Sequence, residues 1–208
     1  MSTPEPVLEA SGISKQFPGV RALDDVSLTI LPGEVHAVVG ENGAGKSTLM
    51  KILSGAHTPD SGSIRVDGQE VTIDNPRTAQ DLGIITIYQE LSLVGALSVG
   101  ENIFLGDLPT RAGKWQVDWP QVWQKSGELL GRVGLHVRPQ TLARELGTGQ
   151  RQMVEIARAL HRQVRVLILD EPTTSLSERE TARLFEIVEL LRGQGVGIVY
   201  ISHRLTEI

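Results

Sequence analysis

Val35-His36-Ala37-Val38-Val39-Gly40-Glu41-Asn42-Gly43-Ala44-Gly45-Lys46-Ser47-Thr48 decides the fold. Its first five residues form a mostly apolar run of strand length. Residues 40–47 then fit G-x-x-x-x-G-K-[ST], ahead of a helix-like run from Thr48 to Leu53. Glycines let backbone N–H groups turn inward around phosphate oxygens, and a helix N-terminus adds its positive end. In this pattern Lys46 reaches the β and γ phosphates of a nucleotide and Ser47 ligates Mg2+. Gly40, Glu41, Asn42, Gly43, Ala44, Gly45, Lys46, Ser47 and Thr48 are therefore the candidate phosphate cradle.

A second apolar strand, Val166-Leu167-Ile168-Leu169, ends in Asp170-Glu171. Ligands of open α/β sheets bind at the carboxyl ends of strands, so both carboxylates are placed for chemistry. Asp170 is the candidate for the Mg2+ shell, and Glu171 for the base that polarises a water for in-line attack on a γ phosphate. Gln89 ends the strand expected over Ile84 to Tyr88, and His203 follows the strand expected over Val196 to Ile201. Both could reach the same crevice, but a polar residue after a strand is commonly plain loop, and the residues alone leave both open.

Between these landmarks the periodicity alternates. Gln150 to His161 is helix-forming; Ser177 and Glu180 have capping-box spacing ahead of Leu184, Ile187, Val188 and Leu191 on one helical face, with Gly193 as a stop. Apolar strands alternating with amphipathic helices predict a parallel sheet covered on both faces. Val26 to Ile30 alternates as a strand before the Pro32-Gly33 turn, and Ser63 to Val66 with Val71 to Ile73 about Asp67-Gly68 predicts a hairpin in a small antiparallel layer. In the middle, Ser98 and Glu101 make another capping box ahead of a short helix over Asn102 to Leu105, stopped by Gly106, and a longer helix runs from about Asp118 to Val133. Trp115, Trp119 and Trp123 fall four apart, yet Pro120 argues against one helix through all three, and they read as packing aromatics. The fold class is α/β: a P-loop NTPase core with a parallel sheet, a small antiparallel β-subdomain, and an inserted helical subdomain at about 90–160.

With 208 residues, 40% of them hydrophobic, the chain can bury one substantial core. A net charge of -5 and a pI near 5.6 argue against nucleic acid or an anionic lipid surface as the main partner. Zero cysteines exclude disulfides and thiolate zinc sites. No apolar run approaches the ~18 residues that span a bilayer, and the opening MSTPEPVLEA lacks the pattern of a secretory signal. Work at a membrane would go through a partner.

Phe17, the cradle, Gln89, Leu146-Gly147-Thr148-Gly149-Gln150, Asp170-Glu171 and His203 occur in the order seen in the ATP-binding cassettes of ABC transporters, and the chain resembles them over nearly its whole length. The stretches Gln89 to Leu93, Gly100 to Gly106 and Gln152 to Ala157 look like the first cassette of bacterial monosaccharide importers of the ribose, galactose and xylose type. The resemblance implies that Phe17 stacks on adenine. Gln89 would sense metal and attacking water while its loop touches the membrane partner, and His203 would bond the γ phosphate. Gly147, Gly149 and Gln150 would begin a helix whose amides face the ATP held by a second cassette. It further implies ATP and Mg2+ as cofactors, transmembrane permease subunits and a sugar-binding protein as partners, and the cytoplasmic face of the membrane as location.

Three departures stand against the family pattern. Gly147 replaces the usual serine of the signature, and losing such a hydroxyl donor costs about 1–3 kcal/mol. Ser177 stands where many cassettes carry aspartate, and the chain ends five residues past His203, where importers of this type continue into more sheet and a second cassette. Two further readings remain: a soluble ABC ATPase acting on nucleic acid or ribosomes, which the acidic charge disfavours, and a cassette fragment inert without its other half.

Overall fold

A computed structural model of the chain describes residues 5–41, 43–89, 91–111 and 116–203. Asn42 of the cradle, Glu90 and Trp115 therefore lie outside the described residues. The chain divides into two compact units. One comprises the chain up to Thr86, Val164–Glu171 and the chain from Val188; the other comprises Ile87–Gln163 and Pro172–Ile187.

The first unit holds two four-stranded sheets. One is antiparallel, built from β1 (Leu8–Phe17), β2 (Val20–Ile30), β4 (Ser61–Val66) and β5 (Gln69–Val71) in the order β2-β1-β4-β5. The other contains β3 (Val35–Val38), β6 (Ile84–Ile87), β7 (Val166–Asp170) and β8 (Gly197–Ile201) in the order β3-β8-β7-β6, with β8 parallel to both its neighbours. Helix α1 (Lys46–Leu53) follows the cradle, and α2 (Pro76–Asp81) is capped by the Asn75 side chain, which accepts from the Arg77 and Thr78 amides. Ile13 and Ile30 of the antiparallel sheet, Ile52 and Leu53 of α1, and Ile168 and Val199 of the parallel sheet share one buried core. Leu8, Ile52, Val166 and Ile198 are fully buried, and each such aliphatic side chain contributes about 1.5–3 kcal/mol.

The antiparallel layer is larger than the hairpin the sequence predicts. Its first strand escapes an alternation test because register shifts interrupt β1 near Ala10, Ile13 and Lys15, with Gly12 at φ 65°. The hairpin turns at Asp67-Gly68 as expected, both residues having positive φ, and the ladder resumes at once with Val66 opposite Gln69. Its second strand is thus Gln69–Val71, and Ile73 lies beyond it, buried in the core.

In the second unit the Ser98 box forms: the Ser98 hydroxyl accepts from the Glu101 amide at 3.2 Å and the Glu101 carboxylate from the Ser98 amide at 2.8 Å. Because Ser98 is the cap, α3 starts directly after it, at Val99–Ile103, rather than at Asn102. Helix α4 (Trp119–Arg132) is capped by Asp118, with proline in its first turn, and Trp119 and Trp123 stack on it with centroids 5.2 Å apart. Helix α5 (Thr148–His161) follows a short 3-10 turn at Ala143–Glu145, and α6 (Glu178–Gly193) opens with the Ser177–Glu180 box. No helix among the described residues is long and apolar enough to cross a membrane.

Candidate functional site

Register gathers the site. Val38 and Asp170 both pair with Ile201, so the carboxyl ends of β3, β7 and β8 align at one sheet edge. The cradle leaves the first, Asp170-Glu171 ends the second, and Ser202-His203 follows the third. A cavity of about 370 Å3 opens there, lined among others by Phe17, Gly43, Lys46, Ser47, Asp170 and Glu171.

The cradle's backbone depends on glycine where sterics require it. Gly43 and Gly45 have φ 88° and 84°, and a Cβ on Gly45 would sit 2.6 Å from the Ala22 carbonyl oxygen. Lys46 Nζ donates to the Gly40 carbonyl at 2.6 Å and to the Glu41 carbonyl at 2.9 Å, holding the loop across its own turn. Phe17 reaches the cavity from the tip of the β1–β2 hairpin, where Pro18-Gly19 makes a two-residue turn between the paired Phe17 and Val20. Its ring also meets His57 edge-on at 5.5 Å.

Asp170 and Glu171 are adjacent in sequence but differently constrained. Burial pushes the Asp170 carboxyl above its ordinary range, and the Glu171 charge adds to this, while Lys46 and Lys51 pull the other way. A half-buried carboxylate beside another carboxylate, sharing its cavity with the Ser47 hydroxyl, is an oxygen-donor set that suits a hard divalent cation. Glu171 adopts φ 47°, a left-handed conformation that costs a non-glycine residue about 1–3 kcal/mol. Pro172 disfavours the right-handed alternative, and the Glu171 amide donates to the Ile201 carbonyl at 3.1 Å. His203 Nδ1 lies 3.0 Å from Glu171 Oε1, so the two stand as a hydrogen-bonded pair.

The raised Asp170 titration has a consequence for stability. The folded state holds this proton more tightly than the unfolded one, so stability falls as pH rises from the unfolded value through the folded value, and the full penalty is present above it. Asp170→Asn should therefore melt a few degrees higher than the parent at pH 7, with the gap closing in acid below about pH 4. Thermal melts across pH check this; an Asn variant less stable than the parent at pH 7 contradicts it.

The structure thus brings Phe17, Gly43 to Thr48, Asp170 and Glu171 to one cavity, with Gly40 and Glu41 bound to Lys46 and His203 bound to Glu171. Gln89, Gly147, Gly149 and Gln150 lie in the second unit. Gln89 is exposed, two residues past the end of β6. Gly147 caps α5 without a side chain, its amide donating to Gln150 Oε1 at 3.1 Å. Gly149 lies close to Glu180: a Cβ there would meet the carboxylate at the end of that side chain, which is itself tied to Ser177. Sequence reasoning missed Val20, Arg21 and Ala22, which also line the cavity. Only their nearness to the hairpin turn after Phe17 could have signalled them.

The ABC transporter family model matches residues 23–174. The chain is 55% identical over 203 residues to a ribose import ATP-binding protein of Rubrobacter xylanophilus, an alignment covering 98% of this chain and 40% of that protein. It is 52% identical over 208 residues to a ribose import ATP-binding protein of Streptomyces avermitilis, again covering 40% of the relative. The chain thus spans about two fifths of the length of the curated relatives it matches. Among solved structures, it is similar to an ATP-binding cassette of an ABC transporter in its ADP conformation, with TM-score 0.83, 29% identity, and 96% of this chain and 82% of that one covered. It is also similar to a nucleotide-free cassette, with TM-score 0.84, 28% identity, and 97% and 83% covered.

Proposed function

The chain belongs to the ABC transporter family of ATP-binding cassettes, and from that premise we propose that it is the ATP-hydrolysing, energy-coupling part of a sugar importer. The observation that supports the reading is the alignment of three strand ends, with Lys46, Asp170 and Glu171 lining one cavity and His203 hydrogen-bonded to Glu171. Adenine stacks on Phe17 at the hairpin tip, and the triphosphate lies along the cradle's amides with Lys46 on its β and γ phosphates. Ser47 and Asp170 would hold Mg2+, and the bound cation would neutralise charge on the phosphate oxygens; Gln89 keeps the metal- and water-sensing role that the family resemblance gives it. Relief of the Asp170–Glu171 repulsion supports that placement.

Glu171 then takes the proton of the attacking water as its oxygen bonds the γ phosphorus in line and the bond to the β,γ-bridging oxygen breaks, leaving ADP and phosphate. His203 fixes the orientation of that carboxylate through Nδ1, which leaves Nε2 for the γ phosphate. An imidazolium would serve both bonds as donor. Thr48 lies in the first turn of α1, beside the phosphates. Gly147, Gly149 and Gln150 open α5 toward nucleotide held by a second cassette, and transmembrane permease subunits with a sugar-binding protein complete the machine on the cytoplasmic face. Ribose is the cargo that the relatives' names suggest.

The test is ATP turnover by the full-length protein assembled with its permease in vesicles, with and without sugar-loaded binding protein. Stimulation supports the reading, and turnover indifferent to the permease refutes it. The same assay examines the signature. Gly147→Ser restores a hydroxyl donor at the helix cap, where serine also suits the backbone, so turnover should rise about 3-fold or more. Unchanged turnover would show that the backbone amides suffice.

A further inference from the structure

The segment after Gln89 has neither strand nor helix from Leu91 to Val94, yet it is held by buried polar groups. Glu155, in the middle of α5 and 9% exposed, accepts at Oε1 from both the amide and the hydroxyl of Ser92, each at 2.8 Å. Arg158, one turn on, donates to the same hydroxyl at 3.2 Å and lies 3.9 Å from the other Glu155 oxygen. Two residues further along the segment, the wholly buried Asn102 of α3 accepts from the Val94 amide at 2.8 Å and donates to the Val94 carbonyl at 3.1 Å. A second donation from Asn102, to Ser98 O at 2.9 Å, ties that grip to the cap of its own helix.

Burying a carboxylate and an amide is costly unless their polar atoms are matched, and here the matches go chiefly to one irregular segment, with Arg158 and the Ser98 cap taking the rest. Turn chemistry within residues 91–97 would suffice for a plain connection. Instead the segment is fastened at Ser92 to α5 and at Val94 to α3, three and five residues from Gln89. Glu155 stands five residues along the helix that Gln150 opens, about 7.5 Å in rise.

We propose that Glu155 is a positioning residue: with Arg158 it clamps Ser92 so that the Gln89 segment and the signature helix α5 move as one body. The inference rests on the reading of Gln89 and the 147–150 run as parts of the nucleotide machinery, and deepens it by naming what couples them. A change felt by the segment then reaches the start of α5 without loss in a flexible joint. Neither Glu155 nor Ser92 is among the residues lining the cradle cavity, so affinity should be indifferent to them while turnover is not.

The experiment compares wild type, Glu155→Gln, Glu155→Leu and Ser92→Ala in the full-length protein assembled with its permease, measuring kcat, nucleotide Kd and hydrogen exchange at the Ser92 amide. Gln keeps the acceptor that Ser92 uses and should retain at least about half the turnover, whereas Leu removes it and should lower kcat about 10-fold, leaving Kd within about 2-fold. Exchange at Ser92 should quicken about 10-fold in the Leu variant. Ser92→Ala should lower kcat about 3-fold, and it carries the test if the Leu variant does not fold. Unchanged kcat in the variants that fold, or Kd rising in step with the fall in kcat, overturns the proposal. Should the wild type itself show no turnover, the functional reading fails separately, and the clamp is still decided by exchange: unaltered protection at Ser92 refutes it.

Discussion

Glu171→Gln should reduce ATP turnover by at least about 100-fold while leaving nucleotide affinity within a few-fold of the parent. A positioned base contributes about 10²–10⁴ to a proton transfer, and the amide cannot take the water's proton. The substitution is otherwise gentle. Glutamine has the same length, its carbonyl oxygen can still accept from His203 at the 3.0 Å separation, and it meets no new demand at φ 47° that glutamate did not already meet. Removing one of two adjacent carboxylates also lowers the repulsion that pushes Asp170 upward, so binding of Mg-nucleotide should hold or tighten. Single-turnover hydrolysis beside equilibrium nucleotide binding separates the two quantities. Retention of more than a tenth of the turnover would remove Glu171 from the role of base.

Lys46→Ala should fail in the opposite half of the experiment, at binding. One ammonium supplies the charge-assisted bonds to the terminal phosphates, each about 1.5–3 kcal/mol, so nucleotide Kd should rise at least about 10–100-fold. A second loss compounds it. Without the ammonium, the Gly40 and Glu41 carbonyls lose the donor that ties the loop across its turn, and the amides that would meet phosphate are less ordered before any ligand arrives. Titration calorimetry with ATP, ADP and AMP tests both parts: the penalty should be large for ATP and ADP and small for AMP, which has no β phosphate. A uniform loss across the three would mean that the loop had simply unfolded.

The two substitutions act on neighbouring atoms of one cavity, but their signatures differ because binding and proton transfer are carried by separate groups. Asp170 stands between them. Its carboxyl is destabilised as an anion by burial and by Glu171, a penalty that a bound cation would offset.

Much of this was legible along the chain because it is local. The spacing of Gly40, Gly45, Lys46 and Ser47 is a property of eight consecutive residues, and both capping boxes, Ser98 with Glu101 and Ser177 with Glu180, close within one helical turn. The apolar run Val166 to Leu169 is a buried strand in sequence and in structure alike. Where local order breaks, the pattern is silent: the bulged β1 hides its alternation, and the antiparallel sheet it anchors is larger than alternation alone predicts.

What the amino-acid order alone determined is which residues can do chemistry: a phosphate loop, two carboxylates at a strand end, and a glycine where the signature usually has serine. What the tertiary structure decided is which of them meet. Only the register of β3, β7 and β8 lines up three strand ends, only that alignment sets His203 against Glu171 across 32 residues of chain, and only packing brings Glu155 to Ser92 across 63. The physical reason is that hydrogen bonds between distant residues leave no period in the sequence. They are chosen by sheet register and burial once the whole core has formed.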